Sequence, residues 1–396
     1  LTGAFGWWLI RRSRRTAFTP PLAVLIPAHN EAHGIAKTIM AVDEAARTYP
    51  GQIHAYIVDN ASIDGTYQAA RGALAACTRI SGSVIQCHQP GKAVALNYGL
   101  ARIEEDFVVR IDADTVIGDR CLATAMRHFA NANVGSVGGM PRPAHERTLI
   151  DTVRLVEVLM RHGFYQVALF SFDGVLGVPG MFSVYRRRVL MEVGGIAEGM
   201  NGEDVDICLR MSQAGYHVVH DPAAQYYSET PDSYSHLREQ RVRWFRSLYH
   251  IVANNRQVVL DHRSITGTIV LPFMLANSAR RAMLAPILVF AMFIAVIFRY
   301  NFVDLRWQPL LATVVGIPAL MSVLICLLWR RPRALLYLPA YLGFRVLRSY
   351  LTLAAILTLV FPPTDSPLRA MRRWWNRDAP PLRRNGIPAG RLSTSR

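Results

Sequence analysis

Acidic residues are in short supply. There are 28 of them against 44 lysines and arginines, a formal net charge of +16, and charged residues make up only 18% of the chain. Cysteine pairing is also missing. Cys77, Cys87, Cys121, Cys208 and Cys326 form no CxxC pair and no Cys/His ligand spacing. That excludes a zinc module of the usual spacing and fits reduced thiols facing a cytosol. The twelve histidines make no metal cluster either, and His220, closing the run "YHVVH", reads as structural. No internal repeat is present, which excludes a solenoid. The basic excess does not point to nucleic acid as a partner. Its clusters, "RRSRR" (11–15), "RRPR" (330–333) and the tail from Arg369 to Arg396, each flank an apolar segment. That is the positive-inside pattern of a membrane protein.

What the chain has in quantity is apolar surface: 51% of its residues are hydrophobic. Residues 282–298 and 309–329 are long and apolar enough to span a bilayer. The segment 335–360 is apolar but carries Arg345 and Arg348, which must snorkel, face a cavity or mark a helix lying at the interface. The opening "LTGAFGWWLI" is too short to span and, followed by "RRSRR", reads as the end of a transmembrane helix cut off upstream. The tail from 362 onward is rich in proline and arginine and is expected to be poorly ordered.

Between residues 20 and 140 the pattern is different. "LAVLIPAHN" reads as a buried parallel strand. Ile35, Ile39, Val42 and Ala46 follow at helical spacing. "HAYIVDN", "SVIQCH", "DFVVRID" and "VGSVGGM" read as the second to fifth strands, with "KAVALNYGLA" as a helix among them. Strand and helix in alternation predict an α/β domain with a mainly parallel sheet. Residues 145–170 read as a long helix, "NGEDVDICLRMSQAG" as a helix with acids in its first turn, and "SHLREQRVRWFRSLYHIV" as an amphipathic helix.

Ligands of an open parallel sheet bind beyond the carboxyl ends of its strands. Here those ends carry Asn30-Glu31, Asp59-Asn60 and Asp112-Ala113-Asp114. Carboxylates would repel the phosphates of a nucleotide unless a metal lay between, and Mg²⁺ favours one or two carboxylates plus substrate phosphates. An Asp-x-Asp pair taken alone is equally a polar strand end. Downstream, Gln240, Arg243 and Trp244 share one helix face at i, i+3 and i+4.

In order, the chain contains "VLIPAHNE", "VDNASIDGT", "GKAVALNYGL", "IDADT", "NGEDVD" and "QRVRW". This set resembles inverting family 2 glycosyltransferases of the GT-A fold. Within that family it is similar to the membrane-embedded branch of chitin-oligosaccharide, hyaluronan, poly-N-acetylglucosamine and cellulose synthases. The resemblance covers about residues 20–250 by motif. It implies a GT-A (Rossmann-like) α/β catalytic domain plus C-terminal transmembrane helices. The divisions expected are 1–15, the end of a membrane helix with its basic flank; 20–235, the catalytic domain; 236–265, interfacial helices; 266–361, membrane region; 362–396, basic tail.

The same resemblance implies roles. Pro27, Asn30, Glu31, Asp59, Lys92 and Asp112 fall on the nucleotide-sugar side, with Asp59 on the uracil of a UDP-sugar. Asn60 stands where a second acid is frequent. Lys92 is equally readable as a solvated surface lysine, and Asp64 as a turn former. Asp114 is the expected ligand of Mg²⁺ or Mn²⁺. Asp204 is the expected general base, Glu203 an orienting group, and Asp206 a solvated neighbour. Gly180, Gln240, Arg241, Arg243 and Trp244 fall on the acceptor and diphosphate side. Where related sequences place a glycine soon after the tryptophan, this chain has "WFRSLYH".

The expected activity is transfer of a sugar, N-acetylglucosamine by resemblance, from a UDP-sugar to a glycan or lipid-linked acceptor. Single transfer to a lipid, as in ceramide glucosyltransferases, is the alternative enzyme. A catalytically dead nucleotide-binding scaffold is the alternative of another class. The expected setting is the plasma (inner) membrane, in contact with its lipids, with the catalytic domain in the cytosol. Self-association stays open. Three spans would leave the arginine-rich tail outside, against the positive-inside trend. An interfacial 335–360 would keep it inside.

Overall fold

Every position of β1 (Leu22–Ala28) is buried, and its side chains divide by alternation. Leu22, Val24, Ile26 and Ala28 enter one core, while Ala23 and Leu25 enter another. A strand buried on both faces needs helices above and below it. The first core is closed by α2 (Ile35–Ala45), α3 (Thr66–Ala76) and α5 (Cys121–Met126). The second is closed by α4 (Lys92–Leu100), α8 (Arg187–Glu192) and α9 (Glu203–Gln213). In α2 the predicted face holds, with Ile35, Ile39 and Val42 buried. The fit of α4 on the sheet is close: a Cβ at Gly99 would lie 2.4 Å from Leu25 Cδ1.

This computed structural model describes residues 2–13, 17–145, 148–229, 231, 233–262, 264–297, 308 and 312–359. The tail expected to be poorly ordered, and Arg14 and Arg15 of the first basic cluster, lie outside them.

Eight strands form one sheet in the order β3-β2-β1-β4-β7-β6-β8-β5. β2 (Ile53–Asn60), β3 (Ser81–Cys87) and β4 (Phe107–Ile111) run parallel with β1. The mainly parallel expectation holds for that half. β7 (Phe182–Arg186) is antiparallel to both its neighbours, and β5 (Thr115–Ile117) is antiparallel to β8 (His217–Ser228). β6 (Val134–Pro143) is therefore the sixth strand rather than the fifth. The three-residue β5 is too short to leave a period in the sequence.

The expected long helix is α6 (Leu149–Met160), a π turn, and α7 (Gln166–Phe170) in succession. Its start is fixed by a reciprocal capping box between Thr148 and Asp151. α1 (Thr2–Ser13) lies on α7, where Gly6 packs onto the Val167 carbonyl. The amphipathic segment is one helix, α10 (Tyr234–Asn254).

Three apolar helices follow: α11 (Leu271–Ile297), α12 (Ile317–Leu328) and α13 (Leu338–Leu357). With their lead-in turns, Thr266–Ile294 and Pro332–Leu357 are long and apolar enough to cross a membrane by length and composition. Ala312–Leu328 is shorter. The first expected span thus begins earlier than residue 282. The two arginines of the third face the protein. Arg348 pairs with Glu157 on α6 at 3.0 Å, and Arg345 donates to the Val314 carbonyl at 2.6 Å.

Candidate active site

The parallel register brings the ends of four strands to one edge. Ala28 lies beside Asp59, Asn60 beside Cys87, and Leu25 beside Arg110. The antiparallel β7 starts from that same edge, Phe182 opposite Ile111. Residues from the loop before β7 therefore reach the strand ends. The Asp112 amide donates to the Met181 carbonyl at 3.2 Å.

At the first strand end Asn30 adopts a left-handed φ of 55°. Its Oδ1 accepts from the Ile63 amide at 2.9 Å, tying the β1 and β2 loops together. The Glu31 amide donates to Thr66 Oγ1, and Asp64 accepts from the amides of Ala32 and Thr66. Asp64 is thus a loop and helix-start organiser. Pro27 sits within β1, beside Val58. Asp59 is 3% exposed and its Oδ1 has no hydrogen-bond partner. A buried acceptor left open in this way fits a ligand that brings its own donor. Asn60, by contrast, is used up internally: it donates to the Gln89 carbonyl and accepts from the Gly91 amide, shaping the turn into α4.

A chain of charges crosses the edge. Lys92 Nζ lies 2.7 Å from Asp112 Oδ2. Arg110 Nε is 3.9 Å from Asp112 Oδ1, and its Nη2 is 2.7 Å from Glu203 Oε1. Arg110 is 2% exposed, so it bridges the Asp-x-Asp turn and the start of α9 from inside the sheet. Burial opposes the charge of Glu203, but Arg110 and Lys92 hold its carboxyl below the usual range.

Asp204 is placed by two amides. Gly180 donates to its Oδ2 at 2.8 Å and Val205 to its Oδ1 at 2.9 Å. Burial, followed by the neighbouring Glu203, still pushes this carboxyl above its ordinary 3.8. A Cβ at Gly180 would stand 2.9 Å from Arg110 Nη2 and 3.1 Å from Asp204 Oδ2, so only glycine fits without displacing one of them. Asp206, expected in solvent, is buried at 4% exposure, bound to Arg210 at 2.8 Å and to Asn255 at 2.8 Å. The first turn of α9 turns its third acid inward, toward the end of α10.

Asp114 faces the opposite problem from Asp112. Its side chain accepts only from Thr115 Oγ1, at 3.3 Å. Burial first, then Asp112, raise its carboxyl above the usual range. Glu31, nearby, is raised by burial and by Asp114. Crowded carboxylates short of donors, with Asp112 Oδ1 also lacking a hydrogen bond, fit a divalent cation bound through Asp114 with Asp112 beside it.

The "QRVRW" residues divide. Arg243 is exposed and, with Arg238, Arg246 and Asn201, lines a cleft of about 580 Å³ between α10 and the end of α13. Arg241 turns the other way. It is 3% exposed and binds Glu157 in a two-pronged pair, 3.0 and 2.6 Å. Its guanidinium is committed to α6, away from the strand ends, because the carboxylate there is the nearest group able to balance a buried cation. Trp244 packs beneath Arg241, 5.0 Å from ring to guanidinium, and Gln240 Oε1 is buried without a partner.

The sequence model "Glycosyltransferase like family 2" matches residues 20–247, more than half of the chain. The chain belongs to glycosyltransferase family 2. Curated relatives are poly-β-1,6-N-acetyl-D-glucosamine synthases. That of Staphylococcus aureus is 24% identical over 163 residues, 41% of this chain and 40% of the relative. That of Staphylococcus epidermidis is 26% identical over the same shares. The match thus spans less than half the length of these relatives. Among solved structures, the mannosyltransferase PcManGT of Pyrobaculum calidifontis, in complex with GDP-Man and Mn²⁺, superposes with a TM-score of 0.58. It is 19% identical and the likeness covers 88% of this chain and 99% of that one. The fold of this family 2 member is GT-A-like, with a mixed and mostly parallel sheet.

Arg110 and Glu157 had no role in the sequence reading. Arg110 was in view: an arginine inside an otherwise apolar strand two residues before Asp112 demands a buried partner. Glu157 gave no signal, because its arginines come from distant segments.

Proposed function

We propose that this family 2 glycosyltransferase moves N-acetylglucosamine from a UDP-sugar to a glycan acceptor at a membrane, with inversion. The observation that carries the reading is the placement of Asp204: a carboxylate raised by burial, aimed by the Gly180 and Val205 amides, on the strand edge that also holds Asp59, Asp112 and Asp114. In this reading Asp59 Oδ1 accepts from the uracil. Lys92 neutralises Asp112 on the nucleotide side. The acceptor hydroxyl attacks the anomeric carbon from the face opposite the diphosphate, and Asp204 takes its proton as the new C–O bond forms. The bond to the diphosphate breaks with its electron pair leaving on the phosphate oxygen. Mg²⁺ or Mn²⁺ at Asp114 would offset the charge developing there. Arg243, exposed in its cleft, is the protein's cation for the diphosphate or acceptor side, and Gly180 leaves room for the acceptor.

The sugar follows the named product of the curated relatives. The membrane setting follows α11 and α13, whose outer faces carry exposed Val289, Phe290, Met292 and Val296. Their position after the catalytic domain supports an inner-membrane enzyme facing the cytosol. Incubating the purified protein with a panel of labelled nucleotide-sugars tests the reading. Release of UDP from UDP-N-acetylglucosamine supports it, and no release from any donor would leave only the scaffold. Single transfer to a lipid is the second reading, favoured by Ser247 where polymer synthases often carry glycine. Product length separates the two: a ladder against one glycolipid.

A further inference from the structure

The contact between the catalytic domain and the apolar helices is unbalanced in charge. Glu157 is held by Arg241 of α10 at 2.6 Å and by Arg348 of α13 at 3.0 Å. Two more guanidiniums share its surroundings. Arg161, one turn beyond Glu157, interacts electrostatically with Glu157, Arg348, Arg241 and Asp204. Arg281 of α11 interacts with Arg348, Arg161 and Glu157. Among the described residues neither Arg161 nor Arg281 has a carboxylate in ion-pair contact. The Nε atoms of Arg241 and Arg348 are buried and have no hydrogen-bond acceptor. Asp204 is the other acid within reach, and its own neighbour Glu203 is already matched by Arg110.

Four cations around one close carboxylate cannot be a stable dry arrangement. An unpaired buried charge costs several kcal/mol, by about the penalty seen on removing one partner of a buried pair. Burial, with Arg348 and Arg241, depresses the Arg161 guanidinium, against the pull of Glu157. Yet Arg161 is exposed by surface area, so the cluster is open to a solute. Its walls are aromatic: Arg241 lies 5.0 Å from the Trp244 ring and 5.7 Å from Phe344, and Arg281 lies 5.0 Å from Phe245.

We propose that Arg161, Arg241, Arg281 and Arg348 form a binding site for the phosphate group of a lipid. Guanidiniums with free Nε–H donors suit phosphate oxygens. The aromatic and apolar walls, and the two long apolar helices that supply Arg281 and Arg348, suit a tail and not a free ion. The site rests on the membrane reading of α11 and α13, and not on the transfer chemistry. Asp204, within electrostatic reach of Arg161, puts this lipid next to the reacting end of the sheet.

The test uses the full chain in a neutral detergent and measures binding of dioctanoyl phosphatidic acid, dioctanoylglycerol and inorganic phosphate. The proposal expects saturable binding of phosphatidic acid, at least tenfold weaker or absent binding of dioctanoylglycerol and of phosphate, and no competition by UDP. Arg161→Gln and Arg281→Gln, which break no ion pair, weaken phosphatidic acid binding at least tenfold and leave UDP binding unchanged. Equal binding of dioctanoylglycerol overturns the phosphate site. Binding of inorganic phosphate alone overturns both the lipid and the membrane reading. Displacement by UDP makes the cluster part of the donor site and also overturns the proposal. The lipid comparison on the unmodified protein decides even where a variant fails to fold.

Discussion

The Gly180 amide donates to Asp204 Oδ2 at 2.8 Å. This bond joins the loop that enters β7 to the first turn of α9. It aims the carboxylate and supplies a donor that favours its anion, in a place where burial favours the neutral acid. Adding a methyl group at Gly180 crowds both Asp204 and Arg110. Gly180→Ala is therefore expected to lower kcat roughly tenfold, about 1.4 kcal/mol in the barrier. UDP affinity stays unchanged. Steady-state kinetics beside UDP calorimetry check it.

The pH profile reports the same carboxylate. A base works ionised, so activity falls as pH drops through its raised value, and the acid limb of kcat/KM lies above the ordinary 3.8. Removing the Glu203 charge relieves one of the causes. Glu203→Gln shifts that limb to lower pH. Arg110→Met removes a cation that favours the anion and shifts it to higher pH. The two shifts in opposite directions, read from pH-rate profiles, are the expected outcome.

Asp112 and Asp114 differ in their partners, and so must their variants. Asp114 has one weak side-chain donor, and its raised carboxyl is relieved by a cation. Asp114→Asn is expected to abolish Mn²⁺ binding, followed by the paramagnetic resonance of free Mn²⁺. Asp112→Asn is expected to weaken Mn²⁺ less and to weaken UDP as well, because it releases Lys92.

Glu157 is a stability prediction. Burial raises its carboxyl, but Arg241 and Arg348 outweigh burial and bring it to about 2. Its folded value lies below the ordinary 4.5, so its contribution is present above pH 4.5 and is lost as pH falls toward 2. Glu157→Gln strands Arg241 and Arg348 and is expected to cost about 3–5 kcal/mol. Thermal melts near neutral pH check the loss, and the gap between variant and parent narrows in acid.

The first half of the sheet was legible because its strands are buried on both faces and its helices carry a period of 3.6. Leu22–Ala28 and the face of Ile35, Ile39 and Val42 follow directly from the residues. The other half mixes directions, and the three residues of Thr115–Ile117 carry no pattern that separates a strand from a turn. At the site, the acids stood out as strand-end residues. Their electrostatics did not, because the charge that balances Glu203 is Arg110, 93 residues away in sequence. Arg241 shows the same limit. Its place in "QRVRW" put it with Arg243, while one residue of helical rotation turned it to Glu157.

Substitution of Asp204 by asparagine tests the central claim most directly, with transfer from UDP-N-acetylglucosamine and UDP affinity measured on the same preparation. The account predicts a fall in kcat of about 10²–10⁴-fold with UDP binding intact. An Asp204→Asn protein that keeps full kcat would contradict it.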